Sequence, residues 1–149
     1  MTEGYSVVNP ETVSKEQFNT CETSVRKLTE RLGATELRVN QVLVEPGEVT
    51  TPHTHAETTG EYDGTDAGNV ETAEHRGQEE VFVALTDGQI AIEGDVHDVT
   101  EGGVVRVRAD VERNLLNQTD DRTHVWLAFG APPIGTVDDF GSYVVTDGE

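Results

Sequence analysis

Short runs of alternating apolar and polar residues, with no sustained helical period, organise this chain. The run ELRVNQVLVEPG, from Glu36 to Gly47, alternates strongly and ends at Pro46-Gly47, which predicts a strand closed by a turn. Val81 to Leu85 and Gln89 to Glu93 read as two further strands flanking Asp87-Gly88, a pair that readily takes the positive φ angles of a hairpin turn. Gly94-Asp95 marks the next reversal. Val104 to Arg108, Arg113 to Asn117 and His124 to Phe129 supply three more strands separated by polar turns. Short strands at this spacing predict an all-β fold, an antiparallel double-sheet barrel or sandwich. Alternation places Val39, Leu43, Phe82, Ala84, Ile90, Ile92, Val105 and Leu127 in its interior.

The flanks are less regular. Residues 1–20 are polar with scattered apolar side chains and read as an arm or an added edge strand. Phe18, Val25, Leu28 and Leu32 have a loose helical spacing that Thr and Ser interrupt, so the stretch from Cys21 to Leu32 fits either element. Residues 56–73 are rich in Thr, Gly, Asp and Glu without apolar period, and are expected to form a poorly ordered surface insertion. Residues 131–149 contain Pro132-Pro133 and scattered aromatics, and read as a tail that wraps the barrel or a partner chain. No internal repeat stands out.

A length of 149 residues suits one domain, with residues 1–35 as its N-terminal arm and added strand. The apolar set is dominated by Val, whose branched side chain suits a pleated surface better than a helical turn. Charge changes the picture more. Twenty-nine acidic residues against ten basic ones give a net charge of −19, and Lys15 and Lys27 are the only lysines. No basic patch exists to displace counterions from phosphates, so neither nucleic acid nor an anionic membrane is an expected partner. Concentrated salt screens such self-repulsion, so the acidity reads as an adaptation to a salt-rich cytoplasm. Cys21 is the only cysteine, which rules out an intrachain disulfide. The first twenty residues lack a basic start and a continuous apolar run, no stretch is long and apolar enough to span a membrane, and a cytoplasmic location is expected.

Candidate chemistry begins at PGEVTTPHTHA, where His53 and His55 stand two residues apart just after a strand and a Pro-Gly turn. In extended backbone, residues i and i+2 point to one face about 6.6 Å apart, so two imidazoles leaning together can share one metal ion. Two solvated loop histidines would give the same letters.

Gly47, His53, His55 and later Glu80, followed by Val81-Phe82-Val83-Ala84-Leu85 and Gly88, resemble the first motif of the cupin family. QEEVFVALTDG, from Gln78 to Gly88, is similar to that family's strand and hairpin, and the resemblance runs from about Leu37 to Phe129. It implies a jelly-roll β-barrel in which two histidines, a glutamate at the head of the next strand and a histidine from a second motif hold a divalent metal. His53, His55 and Glu80 are then the metal ligands, for iron, manganese, nickel, copper or zinc.

Three departures stand beside the match. Twenty-four residues separate His55 from Glu80, where the family has only a few. Seven separate Glu80 from Gly88, one more than usual, which makes Glu79 a substitute candidate. In the second motif Gly102 and Asn117 fit, but Arg108, Asp110 and Arg113 stand where the family has proline, glycine and histidine. A guanidinium has no lone pair to give a metal and stays protonated. Two readings of the site follow. His53, His55 and Glu80 form a facial triad, with Arg113 holding a substrate carboxylate. Alternatively no metal is bound, and Arg113 neutralises Glu80.

The expectation is a cupin-type domain that binds a divalent metal and acts on or binds a small organic molecule, with dioxygenation and isomerisation among the candidate reactions. The alternatives are a metal-free, non-catalytic small-ligand-binding or regulatory domain, or a structural oligomer scaffold. A homodimer is the expected assembly. His75 is a further candidate ligand; His97, in an expected turn, and His124, at the start of the last strand, read as structural or exposed, and Trp126 and Phe129 as core or interface aromatics. Asn117-Gln118-Thr119 matches a glycosylation acceptor that carries no weight without secretion.

Overall fold

The computed structural model describes residues 4–17, 22–54, 78–131 and 144–145. The segment expected to form a surface insertion, 56–73, lies outside the described residues, as does most of the tail. Within them the chain is all-β, with two antiparallel sheets that share one core. After a 3-10 turn at Pro10–Thr12 come β1 (Lys15–Gln17), β2 (Ser24–Lys27), a single helical turn α1 (Thr29–Leu32), β3 (Arg38–Val44) and β4 (His53–Thr54). Then follow β5 (Glu79–Ala84), β6 (Gly88–Ile92), β7 (Asp95–Val99), β8 (Val104–Val107), β9 (Arg113–Leu116), β10 (His124–Ala131) and β11 (Val144–Val145). One sheet has six strands in the order β1-β2-β3-β10-β5-β8, and the other five in the order β11-β4-β9-β6-β7.

The ambiguous stretch after Cys21 divides into both candidate elements. Ser24–Lys27 pairs with β3, and one helical turn then closes on Gly33, whose φ of 74° suits glycine. The Thr29 hydroxyl accepts from Val39 N–H at 2.8 Å and so ties that turn to the sheet. Arg26 donates to the carbonyls of Pro10 and Val13, both at 3.0 Å, and holds the N-terminal segment across the sheet's outer face.

Alternation predicted β3, β5, β6, β8, β9 and β10 but missed β7, where His97 was expected in a turn, and it misplaced two of the faces. Val25, Val42, Val44, Phe82, Ala84, Ile90, Val107, Leu115, Trp126 and Ala128 form the core between the sheets, and Ile92 and Val105 pack against it. Phe82 and Trp126 meet edge to face, ring centroids 6.0 Å apart. Leu43 and Leu127, expected inside, lie on the opposite face of their strands from Val42 and Trp126. Val39 is buried, but outside this core: with Val13 and Leu28 it forms a second cluster against which Leu32, Leu127 and Phe129 pack. The six-stranded sheet is thus apolar on both faces near β3 and β10, which is why alternation alone does not fix their phase.

Asp87-Gly88 is not a hairpin turn. β5 pairs with β10 and β8, whereas β6 pairs with β7 and β9, so the chain crosses there from one sheet to the other. Gly88 has no positive φ. It is required because a Cβ there would fall 2.5 Å from the indole Cζ2 of Trp126. The mirror-image turn sits instead at Glu93-Gly94, with φ of 53° and 88°, where it joins β6 to β7.

Candidate functional site

The heads of β4, β5 and β9 meet at one end of the barrel. His53 on β4 and Arg113 on β9 are directly opposed cross-strand partners, so both side chains leave the sheet on the same side. Glu80 is inward on β5, in phase with Phe82 and Ala84, and the pleat turns Glu79 outward. Glu79 pairs with the exposed Arg106 of β8, away from the barrel interior.

Arg113 is the most constrained member. Its side chain is completely buried, and Nη1 lies 3.4 Å from Oε1 of Glu80, itself only 13% exposed. Nη2 donates to the Arg108 carbonyl at 2.7 Å and, at 3.5 Å, to that of Val107. These two carbonyls aim the guanidinium at Glu80. Arg108 and Asp110, which stand at the family's proline and glycine positions, bind each other through two contacts of 2.5 and 3.1 Å. They shape the bend from which Arg113 enters the barrel.

His53 faces the same carboxylate. Its Nδ1 lies 2.7 Å from the Thr51 carbonyl, which assigns the ring proton to Nδ1 and makes Nε2 the basic nitrogen. Burial pushes the Glu80 carboxyl above the ordinary range, and the Arg113 guanidinium and His53 pull it back. Because a guanidinium stays protonated in proteins, Arg113 is a fixed positive charge beside that carboxylate.

The structure therefore brings together His53, Glu80 and Arg113; His55 and His75 lie outside the described residues. Of the three expected ligands, His53 and Glu80 are described and His55 is not. Glu80 already faces a buried guanidinium, a second cation at that carboxylate would meet it at short range, and no three His, Cys, Asp or Glu side chains form a metal-sized group among the described residues.

Two residues at this end escaped sequence reasoning. Gln78, 1% exposed, precedes Glu80 by one pleat, and Gly130 on β10 leaves room for its amide. Asn40, 6% exposed, shares its inward phase with Val42 and Val44. The signal that finds both is a polar residue at an inward position of an otherwise apolar strand. Asn117, by contrast, is structural. Its buried Nδ2 donates to the carbonyls of Val44 and Arg122, and its Oδ1 accepts from the backbone and hydroxyl of Thr119.

No protein-family model matches the chain, and no curated protein matches it either. Solved structures do. A cupin protein from Bacteroides fragilis is 17% identical, with 99% of this chain and 98% of that one covered and a TM-score of 0.60. A predicted oxalate decarboxylase from Thermotoga maritima is 14% identical over 85% of this chain and 99% of that one, with a TM-score of 0.62. The polyketide cyclase RemF from Streptomyces resistomycificus is 18% identical over 85% and 78%, with a TM-score of 0.59. At such identities the likeness is one of fold.

Proposed function

We propose that this chain, which has the cupin fold, is a small-ligand-binding domain whose barrel centre uses the buried guanidinium of Arg113 as its resident positive charge, in place of a divalent metal. The observation that carries this reading is the Arg113–Glu80 pair, 3.4 Å apart and closed from solvent on the arginine side. Among the described residues His53 and Arg113 both face Glu80, while the nearby Asp110 is paired with Arg108. Protonation of His53 then gives the site a net positive charge inside a chain of net charge −19. The ligand that fits is a small organic acid, received by His53 with Arg113 fixing the field from behind Glu80. Two fold neighbours, named a predicted oxalate decarboxylase and a polyketide cyclase, carry names of activities on small organic molecules. They choose no reaction for this chain.

Titration calorimetry with small carboxylic acids and their neutral amides tests the reading. Binding of an acid by chelator-treated protein, lost in His53→Ala and absent for the amide, supports it. Acid binding that appears only after a divalent metal is added would favour the metal-dependent reading, in which the Thr51 contact orients His53 Nε2 as a ligand.

A further inference from the structure

One flank of the sandwich carries two open strand edges. β8 ends the six-stranded sheet and β7 ends the five-stranded one, so neither has a neighbour on its outer side among the described residues. The turn from Thr100 to Gly103 joins them, so they run in opposite senses, and Val99 of one and Val105 of the other pack against the shared core. The far end of the six-stranded sheet is blunter: β1 is three residues long, and Lys15 and Glu16 are exposed along it.

Ladder geometry identifies the open backbone groups. Ala84 exchanges hydrogen bonds with Gly102 and Gly103, so with a period of two Phe82 bonds to Val105 and Glu80 to Val107. Val104 and Arg106 therefore turn their N–H and C=O groups outward. On β7 the two-residue turn at Glu93-Gly94 closes on the bonded pair Ile92 and Asp95, followed by Ile90 with His97, which turns the backbone of Val96 and Asp98 outward. The two edges match. Each presents a pair of residues in strand geometry, one of them an exposed valine: Val104 at 65% and Val96 at 46%.

Charge decides which edge suits which. No acidic residue occurs from Gly102 to Ala109, and β8 carries Arg106, with Arg108 just beyond it; β7 carries Asp95 and Asp98 and no lysine or arginine. Like charges meet when either edge pairs with its own copy, whereas opposite charges meet when β8 of one chain lies along β7 of another. The side chains keep capacity for this: Arg106 gives only Nε to the exposed Glu79, and Asp98 gives only Oδ1 to Gln89, which leaves the Nη groups and Oδ2. We infer that this flank is an interface with a second copy of the chain, in which β8 of each copy pairs antiparallel with β7 of the other. A two-fold axis parallel to the strands makes both pairings at once, because β7 and β8 run in opposite senses. Both edges are then closed, so association stops at the dimer. The interface is independent of what the barrel binds.

Sedimentation equilibrium in molar KCl, where the net charge of −19 on each chain is screened, measures self-association, and amide hydrogen exchange at low and high chain concentration locates it. A monomer–dimer equilibrium is expected, with the amides of Val96, Asp98, Val104 and Arg106 slowed in the dimer and those of β1 unchanged. Arg106→Asp sets like charges beside each other in both ladders and should weaken the dimer about tenfold. Adding Asp98→Arg brings opposite charges together again and should return the dissociation constant to within about threefold of the parent. A chain that stays monomeric at millimolar concentration, a dimer in which those four amides exchange as in the monomer, or a charge-swapped chain that associates no more tightly than Arg106→Asp alone would overturn the proposal.

Discussion

Replacing Arg113 with methionine keeps much of the side-chain volume and removes the charge. At 3.4 Å the attraction between Nη1 and Glu80 is about 5 kcal/mol at an effective dielectric of about 20. That gain offsets the desolvation of two groups, one wholly buried and the other 13% exposed. Deleting one partner leaves the desolvation cost of the other uncompensated, which destabilises by about 3–5 kcal/mol. His53 still faces Glu80 and supplies part of the missing attraction, so the lower end of that range is expected. The double variant Arg113→Met, Glu80→Leu removes both charges and should return to within about 1 kcal/mol of the parent, or exceed it. Urea unfolding at fixed high salt gives the four stabilities of the cycle. A loss below about 1 kcal/mol in Arg113→Met, or a double variant no more stable than the worse single one, would refute a coupled buried pair.

Asn117→Ala should cost about 3 kcal/mol in urea unfolding, because it strands the Val44 and Arg122 carbonyls and the Thr119 N–H together; a change under about 1 kcal/mol would show that water replaces the amide. Burial holds His124 below the ordinary imidazole range, and Arg122 adds to this while the Leu116 carbonyl and Asp87 oppose it. The unfolded chain then takes up this proton first, so stability falls as pH drops below about 6.5, and His124→Gln should flatten the decline between about pH 7 and 5. An identical slope in parent and variant would contradict that sign. With a net charge of −19, the melting temperature should rise steeply from dilute buffer to molar KCl as the screening length contracts from about 30 to 3 Å, and a flat profile would count against salt adaptation.

Six strands were legible because Val-rich alternation is a local signal, but the mostly exposed β7 was not, and neither were the strands' partners. β5 and β6 are neighbours in sequence and belong to different sheets, and nothing local distinguishes a Gly that makes a turn from one, like Gly88, that makes room for Trp126. Leu43 and Leu127 were misplaced because the N-terminal segment covers the outer face of their sheet, so apolar residues occupy both phases. At the site, the family resemblance named Glu80 and left Glu79 as a substitute, and the phase of β5, which the sequence did not supply, turns Glu80 inward and Glu79 outward. The meeting of His53 with Arg113 depends on a pairing between β4 and β9 across about 60 residues, which no spacing rule reveals. Asn40 and Gln78 were missed because a single polar letter in a strand reads as solvent-facing until the strand's phase is known.

The proposed replacement of a metal by the Arg113 guanidinium is read most directly from metal content. Chelator-stripped parent protein and Arg113→His, each reconstituted with manganese, nickel or zinc and freed of excess metal, are compared by elemental analysis per chain. The parent should retain far less than one ion, while the variant, with an imidazole opposite His53 and Glu80 released from its partner, should retain about one. One ion per parent chain, lost on Glu80→Gln, would contradict it.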